Sequence, residues 1–411
     1  MSEFINRPLS RRSFLGGATV AAGLGLTACG GGQQKAPEAP SGKEGGSTIT
    51  AGTAYSTQNY DPSTTSSALA LGVNWQVVEG LYGLNFHDYS TFNELATADP
   101  KKVDDNTFEI TIRDGAKFSD GNEVRADDVV ESFNRSSAKG SVYVPMLAPI
   151  ASVEKKDDKT VTVKTTIANF SLLKERLSIV RVVPASSSQD EMKKQPIGSG
   201  PWKFESISDN TLDLVPNTNY NGATPAKDEK LHYDVLKDPT ARLTAQQDGT
   251  TLAMEMVSAD AVDQLKGAGC TVDAVQGFGV RFAMFNLGKA PWDNVKVRQA
   301  CLYALDTDKM LSNAFSGQAE VATSYLPSSF ANYHKASTVY AHDVDKAKKL
   351  ISESGITPGD VVLRTTDNEQ VKSMATQVKN DLDALGFNVN IVSDTSPATY
   401  AAIDAADGSW D

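Results

Sequence analysis

Residues 106–121 read NTFEITIRDGAKFSDG, and the chain continues through ADDVVESF at residues 126–133. Apolar side chains alternate with polar ones in the first part, which is typical of a half-buried β-strand: Phe108, Ile110 and Ile112. Two Asp-Gly pairs then mark turns. Apolar residues at helical spacing follow, and the acidic pair Asp127 and Asp128 suits the positive end of a helix. A strand, two turns and a helix in so short a stretch predict a mixed α/β fold.

The C-terminal half shows the same alternation of helices and strands. Polar caps predict helices that begin near Asp293, near Thr307 and at either Asp343 or Asp345. A fourth helix is predicted to end at Gly386, and a strand with alternating apolar residues follows this glycine directly. Helix, glycine and strand in succession are typical of an α/β lobe.

The composition excludes several classes of protein. The 411 residues include 39 basic and 51 acidic side chains, which gives a formal charge of −12. Such an acidic chain lacks the basic surface that non-specific nucleic-acid binding needs. The hydrophobic content of 40% is that of a globular protein rather than a disordered one. The length predicts two or three domains.

The first 28 residues have the pattern of an export signal. Arg11 and Arg12 precede a short uncharged, apolar stretch, and such a signal is removed on export. The paired arginines before Phe-Leu resemble a twin-arginine signal, although an ordinary Sec signal fits the same residues. The stretch ends in Leu-Thr-Ala-Cys, which resembles the lipobox of bacterial lipoproteins and predicts lipidation at Cys29.

Residues 29–47 are rich in Gly, Ser, Pro and Gln. This composition cannot bury a core, so it predicts a flexible tether. We therefore expect an exported body that a lipid anchor holds at the outer face of the cytoplasmic membrane, on the cell surface or in the periplasm.

Motifs of catalysis and metal binding are scarce. The four histidines show no metal spacing, and the sequence has no HExxH, CxxC, GxSxG or P-loop motif. We predict no cofactor and no metal. Besides Cys29, the chain has Cys270 and Cys301. These two fit either one disulfide in an oxidising compartment or two free thiols, and the apolar face around Cys301 favours free thiols.

One pattern leaves an enzyme open as a remote alternative. Residues 171–174 match SxxK, and residues 208–210 match the SDN of penicillin-recognising serine enzymes. No Lys-Thr-Gly follows, and residues 208–210 lie between two strand-like stretches. A polar turn is therefore the favoured interpretation, and we predict that the protein is not an enzyme.

Several stretches, taken in order, resemble the extracellular solute-binding proteins of family 5, which serve ABC importers of dipeptides, oligopeptides and nickel. The resemblance spans roughly residues 48–411. The stretches are residues 106–121, 126–133, 196–202, 297–306 and 347–355. The chain departs from the family pattern at Arg125, where a threonine-like cap is usual, and at residues 249–252, where the family has a Gly-Glu-x-Asp element.

The resemblance implies a two-lobed α/β fold of the periplasmic-binding-protein type (type II, Venus flytrap). Residues 48–277 would form lobe I, with an extra subdomain at about 85–190, and residues 278–411 would form lobe II. In relatives an acidic residue that anchors the ligand's ammonium group, and the strands that complete both lobes, come after the position matching Asp411. We therefore expect lobe II to be incomplete and the chain to be a fragment.

Candidate ligand-binding residues follow from position and from this resemblance. They are Tyr55, Asn59, Tyr82, Phe278, Arg281, Tyr325 and Trp410. Two of them follow the first strand, and the arginine suits a ligand carboxylate because a guanidinium binds it with two hydrogen bonds.

The resemblance implies a lipoprotein that captures small peptides and delivers them to ABC permease subunits when its lobes close. Alternatives within the class are a nickel chelate, an opine or an oligosaccharide as ligand. A peptide-sensing surface lipoprotein without transport is a further alternative. We expect a monomer with no nucleic-acid partner.

Overall fold

The computed structural model describes residues 47–394 except 87, 275, 276, 278, 317 and 331, together with Thr399, Ala402 and Trp410. The predicted export signal, the lipidation site Cys29 and nearly all of the tether lie outside the described residues, as does Phe278. No helix among the described residues is long and apolar enough to cross a membrane.

The described residues form the following strands and helices in chain order. The strands are β1 (Thr48–Thr53), β2 (Tyr82–Leu84), β3 (Thr91–Asn93), β4 (Lys101–Lys102), β5 (Thr107–Thr111), β6 (Ile150–Lys155), β7 (Thr160–Thr165), β8 (Trp202–Ile207), β9 (Thr211–Pro216), β10 (Lys230–Val235), β11 (Ala253–Met254), β12 (Asp360–Thr366) and β13 (Asn388–Asp394). The α-helices are α1 (Ala68–Val77), α2 (Ala126–Ser136), α3 (Val144–Leu147), α4 (Leu173–Leu177), α5 (Gln189–Lys194), α6 (Pro239–Gln247), α7 (Val262–Gly267), α8 (Val295–Ala304), α9 (Thr307–Phe315), α10 (Val344–Ser354) and α11 (Glu369–Asp383). The prediction of a mixed α/β fold is confirmed.

The first sheet has five strands in the order β11-β1-β10-β9-β8. β1 pairs in parallel with both β10 and β11, whereas β9 pairs antiparallel with β10 and with β8. Helix α1 packs on this sheet and shares one apolar core with it, to which Leu69, Val73, Trp202, Phe204 and Leu214 belong. The N-terminal strand is therefore central in its sheet, and its register depends on chain segments almost 200 residues away.

The second sheet has four antiparallel strands in the order β4-β5-β7-β6, and α2 packs on it. The strand predicted from Phe108 and Ile110 is β5, and a hairpin turn at residues 156–159 joins β6 to β7. At the start of α2, Asp128 Oδ2 accepts a hydrogen bond from Arg125 N at 2.8 Å. A complete capping box also needs the cap side chain to accept a hydrogen bond from the backbone N–H of Asp128. An arginine side chain has no acceptor, so only the bond from Arg125 N to Asp128 is formed.

The third sheet pairs β12 and β13 in parallel, and α11 connects them. Together with α8 and α10 it encloses a core that contains Trp292, Cys301, Leu382 and Phe387. Of the two predicted caps, Asp343 is the one that caps α10, and the helix ends at Gly355.

Two predicted helix starts in this region are each displaced by one residue. Asn294, not Asp293, caps α8, because its side chain accepts from Lys296 N. Asp306, not Thr307, caps α9, because its side chain accepts from Lys309 N. In α8 the residue after the expected one, and in α9 the residue before it, carries the side-chain oxygen that accepts from a free amide of the first turn.

The loop at residues 196–202 passes directly over the end of α1. A Cβ atom on Gly198 would lie 2.0 Å from Val77 O, and one on Gly200 would lie 2.5 Å from Gln76 O. Ser119 N donates to Gly198 O at 2.9 Å, which ties the same loop to the turn after β5. The two glycines are therefore required by close backbone approach rather than by chemistry.

Cys270 and Cys301 are both free. Cys301 is buried in the third core, and burial raises the pKa of its thiol to about 12. The favoured interpretation of two free thiols agrees with the structure, although Cys270 is only half-buried.

Candidate ligand-binding site

The carboxyl ends of four strands meet at one edge of the first sheet. β1, β10 and β11 are parallel, and β8 runs the same way because two antiparallel pairings separate it from β10. Ligands of open α/β sheets bind outside the carboxyl ends of such strands. This edge, which we call the carboxyl edge, is therefore the candidate site.

The loop that follows β1 at the carboxyl edge is fixed by its own side chains. Asn59 Nδ2 donates to Thr64 Oγ1 at 3.2 Å, and Asn59 Oδ1 accepts from Asp61 N at 3.1 Å. The buried carboxylate of Asp61 accepts from Ser63 Oγ at 2.7 Å and from Thr64 Oγ1 at 3.0 Å. The predicted residue Asn59 thus holds the loop in shape, and its amide group is already engaged.

The ends of the parallel strands are tied to one another. Glu255 Oε1, just beyond β11, accepts from Thr53 Oγ1 at 2.5 Å and from Ala54 N at 3.0 Å. Arg242 is buried on α6 and donates to Leu236 O at 2.6 Å, just beyond β10. These contacts make the edge rigid, which lowers the entropic cost of binding a ligand there.

A cavity of about 280 Å³ lies between α1 and the strands of this edge. Its lining includes Gly52, Thr53, Gly72, Gln76, Tyr233 and Glu255. Gln76 Nε2 donates to Tyr233 OH at 2.8 Å. Burial raises the pKa of Tyr233, and the charge of Glu255 adds to this effect. The lining therefore offers hydrogen-bond donors and acceptors but no activated nucleophile.

A buried ion network lies behind the end of α1. Arg113 donates from both terminal nitrogens to the Glu79 carboxylate, each at 2.8 Å. Arg181 Nη1 donates to Glu94 Oε2 at 2.8 Å, and its guanidinium lies 3.1 Å from the centre of the Trp75 ring. Burial raises the pKa of the Glu94 carboxyl, although Arg181 opposes the shift. This network connects the end of α1 to the segments that follow β3 and β5, and the guanidinium of Arg181 covers the ring of Trp75.

The structure places the predicted N-terminal site residues in two different environments. Tyr55 and Asn59 lie in the loop at the carboxyl edge, and the side chain of Tyr55 packs partly against the first core. Tyr82 instead lies fully buried in the second core, where its hydroxyl donates to Ala98 O at 3.1 Å. In this arrangement Tyr82 presents no surface to a ligand.

Of the residues predicted in the C-terminal half, the structure describes Arg281, Tyr325 and Trp410. Arg281 is exposed, and Tyr325 is 87% exposed. Trp410 is half-buried, and its carbonyl oxygen accepts from Asn286 Nδ2 at 2.8 Å. Their role in ligand binding stays a prediction.

Several residues of the site were not predicted from the sequence. Glu255, Gln76 and Tyr233 line the cavity, and Phe86 and Tyr89 form an exposed aromatic pair at the tip of the β2–β3 hairpin. The polar residue directly after a short strand was a usable signal for Glu255. For the cavity residues on α1 and β10, the sequence shows no more than an amphipathic pattern.

Residues of the enzyme alternative lie in ordinary structural roles. Ser208 closes the turn between β8 and β9, where its Oγ accepts from Thr211 N at 2.9 Å. Lys174 Nζ donates to Asp99 Oδ1 at 2.6 Å. Within the described ranges, no group of three or more metal-ligating side chains could hold an ion.

Known proteins resemble this chain in sequence. Heme-binding protein A of Haemophilus influenzae is 30% identical over 361 residues, which cover 78% of this chain and 64% of that protein. The dipeptide-binding protein of Escherichia coli is 25% identical over 328 residues, covering 71% of this chain and 61% of that protein. The chain therefore spans less than two thirds of the length of these relatives.

The fold is also found among solved structures. The ABC transporter-associated periplasmic binding protein DppA from Helicobacter pylori, in complex with the peptide STSA, matches with a TM-score of 0.74 at 19% identity. The match covers 87% of this chain and 75% of that one. This likeness shows the two-lobed α/β fold of periplasmic binding proteins.

The sequence model of the bacterial extracellular solute-binding proteins, family 5, matches residues 92–411. The matched range includes the glycine loop over α1, the second sheet and the whole C-terminal α/β region. The chain therefore belongs to the family 5 bacterial extracellular solute-binding proteins.

Proposed function

We propose that this protein is the substrate-binding component of an ABC importer, and that it captures small peptides outside the cytoplasmic membrane. The observation that carries the proposal is the carboxyl edge of the first sheet. It joins a polar loop, which is held by its own side chains, to a cavity of about 280 Å³ lined by hydrogen-bonding groups. Relatives named for dipeptide binding and a solved structure with a bound peptide support the ligand class.

The mechanism needs binding and movement but no chemical step. A peptide would bind at the carboxyl edge with main-chain hydrogen bonds, since an extended peptide supplies a donor and an acceptor at every residue. The two lobes would then close by a hinge motion. The ligand favours the closed form only by the difference between its affinities for the two forms. Permease subunits would recognise the closed form.

Native mass spectrometry of the purified protein tests the ligand class. We expect co-purified masses of small peptides, which titration calorimetry with the synthetic peptides then confirms. A sugar, an opine or a metal chelate in place of any peptide would overturn the proposal while leaving the family assignment intact.

One observation favours a second ligand class. The Haemophilus influenzae relative at 30% identity is named a heme-binding protein. Titration of the purified protein with haemin, followed at its Soret band, tests this alternative. Saturable binding of one haemin per chain with no peptide binding would replace the peptide proposal.

The anchor is part of the proposal. Export, removal of residues 1–28 and lipidation at Cys29 would hold the protein at the outer face of the membrane, since several acyl chains anchor far better than one. Labelling of growing cells with a radioactive fatty acid tests this. We expect the label on the wild-type protein and none on Cys29→Ala.

A further inference from the structure

The cavity at the carboxyl edge is bordered by one charged group. Of the described residues that line it, only Glu255 carries a charge. Its backbone N–H donates to Gly52 O at 3.3 Å. Its Oε1 atom accepts two hydrogen bonds, from Thr53 Oγ1 at 2.5 Å and from Ala54 N at 3.0 Å. The end of β1 therefore holds both the main chain and one carboxylate oxygen of this residue.

The second carboxylate oxygen of Glu255, Oε2, can receive a ligand. Among the described residues, none donates a hydrogen bond to Oε2, and none forms an ion pair with this carboxylate. The buried Arg242 of α6 donates instead to Leu236 O at 2.6 Å and to Lys237 O at 2.9 Å. The lining thus presents a negative charge without a counter-charge, which a cationic group of the ligand would supply.

The rest of the cavity is small and mostly apolar. Its volume of about 280 Å³ is below the range of roughly 300–1,000 Å³ that is typical of pockets for a whole ligand, so it suits one side chain. Gly72 of α1 leaves space in the lining, since no atom lies within 4 Å of a Cβ placed on it. A lysine side chain matches this lining, because its stem packs on apolar surface while its charged end binds a polar group. The apolar walls consist of Ala51, Ala68, Leu69, Val73 and Ala253.

The carboxylate of Glu255 is better suited to an ammonium group than to a guanidinium group. A guanidinium binds a carboxylate best with two parallel hydrogen bonds, one to each oxygen. Here Oε1 is already engaged twice, which leaves Oε2 for the ligand. An ammonium group is a compact charge with three donors and can bind a single oxygen. The hydroxyl oxygen of Tyr233, which also lines the cavity, can accept a further hydrogen bond.

We propose that the cavity beside Glu255 is a ligand subsite for an alkylammonium side chain, so that the protein prefers peptides that carry lysine. This inference rests on the proposed peptide-binding function and adds a selectivity to it. The formal charge of −12 acts in the same direction, because an acidic protein attracts cationic ligands.

Titration calorimetry with tripeptides tests the inference. The probes are trialanine and three sets of tripeptides that place one Lys, one Arg or one norleucine among two alanines. Norleucine has an unbranched aliphatic side chain without a charge. We expect at least one Lys tripeptide to bind about tenfold more tightly than trialanine and than its norleucine counterpart. It should also bind more tightly than its Arg counterpart.

Two variants locate the subsite. Glu255→Gln keeps an oxygen that can accept from Thr53 and Ala54 but removes the charge, so the preference for Lys over trialanine should fall to about twofold or less. Gly72→Leu fills the cavity from α1 and leaves Glu255 in place, and it should also remove the preference.

Glu229→Gln is the matched control. Glu229 is an exposed acid just before β10, roughly 20 Å along the strand from the carboxyl edge. Its substitution changes the net charge as much as Glu255→Gln does, yet it should leave the full preference for Lys.

Several outcomes would overturn the subsite alone. They are equal affinity for trialanine and all Lys tripeptides, an unchanged preference in Glu255→Gln or in Gly72→Leu, and a gain for norleucine or Arg as large as the gain for Lys. If Glu255→Gln weakens trialanine as strongly as the Lys tripeptides, the carboxylate binds the terminal ammonium group and the side-chain subsite is wrong. Failure of every tripeptide to bind would overturn the proposed function as well.

Discussion

Residues 48–256 and residues 285–394 are both α/β, yet they are held together in different ways. The N-terminal region has a five-stranded and a four-stranded sheet, and its strands pair with segments that are distant in the sequence. The C-terminal region has one two-stranded parallel sheet, and most of its order comes from helices with side-chain caps. Contacts between residues distant in the sequence hold the first region together, whereas helix caps within a few residues order much of the second.

The two regions also differ in how they cover their apolar side chains. In the N-terminal region two cores bury nearly every large apolar side chain of the sheets. Just before and at the start of the C-terminal region, Phe282, Met284 and Leu287 are exposed on a segment without regular structure. A mutation in the first region should therefore disturb distant segments, whereas one in the second should act on its own helix.

The largest expected effect is that of Gly198→Ala. The new Cβ would lie 2.0 Å from Val77 O, and hydrogen bonds hold the backbone on both sides of this contact. We expect a loss of more than about 4 kcal/mol in the free energy of unfolding, or no folded protein. Denaturant unfolding followed by tryptophan fluorescence measures it.

Gly72→Ala is the control for this prediction. No atom lies within 4 Å of a Cβ placed on Gly72 inside α1, so alanine should stabilise the helix by about 0.5–1 kcal/mol. If Gly198→Ala unfolds at the same denaturant concentration as the wild type, the loop does not tie the N-terminal region together as we describe.

Breaking the buried ion network should have the next largest effect. Glu94→Gln removes the negative charge that faces Arg181 and leaves a buried cation without its partner. We expect the free energy of unfolding to fall by about 3 kcal/mol. Hydrogen exchange followed by mass spectrometry should show faster exchange in α1 and in the second sheet, because the network joins the end of α1 to the segment after β5.

The exposed pair of Glu154 and Lys164 is the matched control. Glu154→Gln should change the stability by less than about 0.5 kcal/mol, because water screens an exposed pair. A loss as large as that of Glu94→Gln would mean that burial does not distinguish the two ion pairs.

Sequence patterns predicted the local features of both regions well. The strand at residues 107–111, the cap Asp343 and the helix that ends before Gly386 follow from alternation, from the side-chain oxygen of a cap and from the backbone freedom of glycine. Each of these signals lies within a few residues, so no knowledge of the tertiary fold is needed.

Long-range contacts could not be predicted from the same sequence patterns. Arg181 and Glu94 are 87 residues apart, and nothing in either neighbourhood shows that they meet. Tyr82 was expected near a ligand, but its side chain is buried in the core of the second sheet. The contact between Tyr89 and Phe330 likewise depends on how two distant segments pack. Such positions depend on the fold as a whole.

In the C-terminal region we expect a smaller and more local effect from Asn368→Ala. Asn368 Oδ1 accepts from Gln370 N at 3.0 Å and from Val371 N at 3.2 Å at the start of α11. Loss of such a cap costs about 1 kcal/mol. Exchange should accelerate in α11 and hardly change in residues 48–256.

Ser67→Ala is the control in the N-terminal region. Ser67 precedes α1, but its side chain makes no cap hydrogen bond. We therefore expect no measurable change in stability. If Ser67→Ala and Asn368→Ala lower the free energy of unfolding equally, the contrast between local and long-range order is wrong. It is also wrong if Asn368→Ala accelerates hydrogen exchange in the N-terminal sheets.

The smallest expected change in stability concerns the pH-dependent ion pairs of His232 on the first sheet. His232 on β10 lies with Nδ1 2.6 Å from Asp213 Oδ1 and Nε2 3.2 Å from Asp234 Oδ1, and Lys230 also contacts Asp213. Burial lowers the pKa of His232, but the hydrogen bonds that its ring donates to the carboxylates of Asp213 and Asp234 outweigh burial, so the pKa is raised. A raised pKa means that the folded state holds the proton more tightly than the unfolded state.

The stabilisation by His232 should therefore be complete below the ordinary histidine pKa of about 6.5 and disappear as the pH rises through the folded value. We expect less than about 1 kcal/mol, because the side chain is partly exposed. Denaturant unfolding of the wild type and of His232→Asn at pH 6 and at pH 9 measures the difference. The variant should be less stable at pH 6 and nearly equal at pH 9. A difference that is independent of pH would show that the imidazole contributes by packing across β9 and β10, and not by its charge.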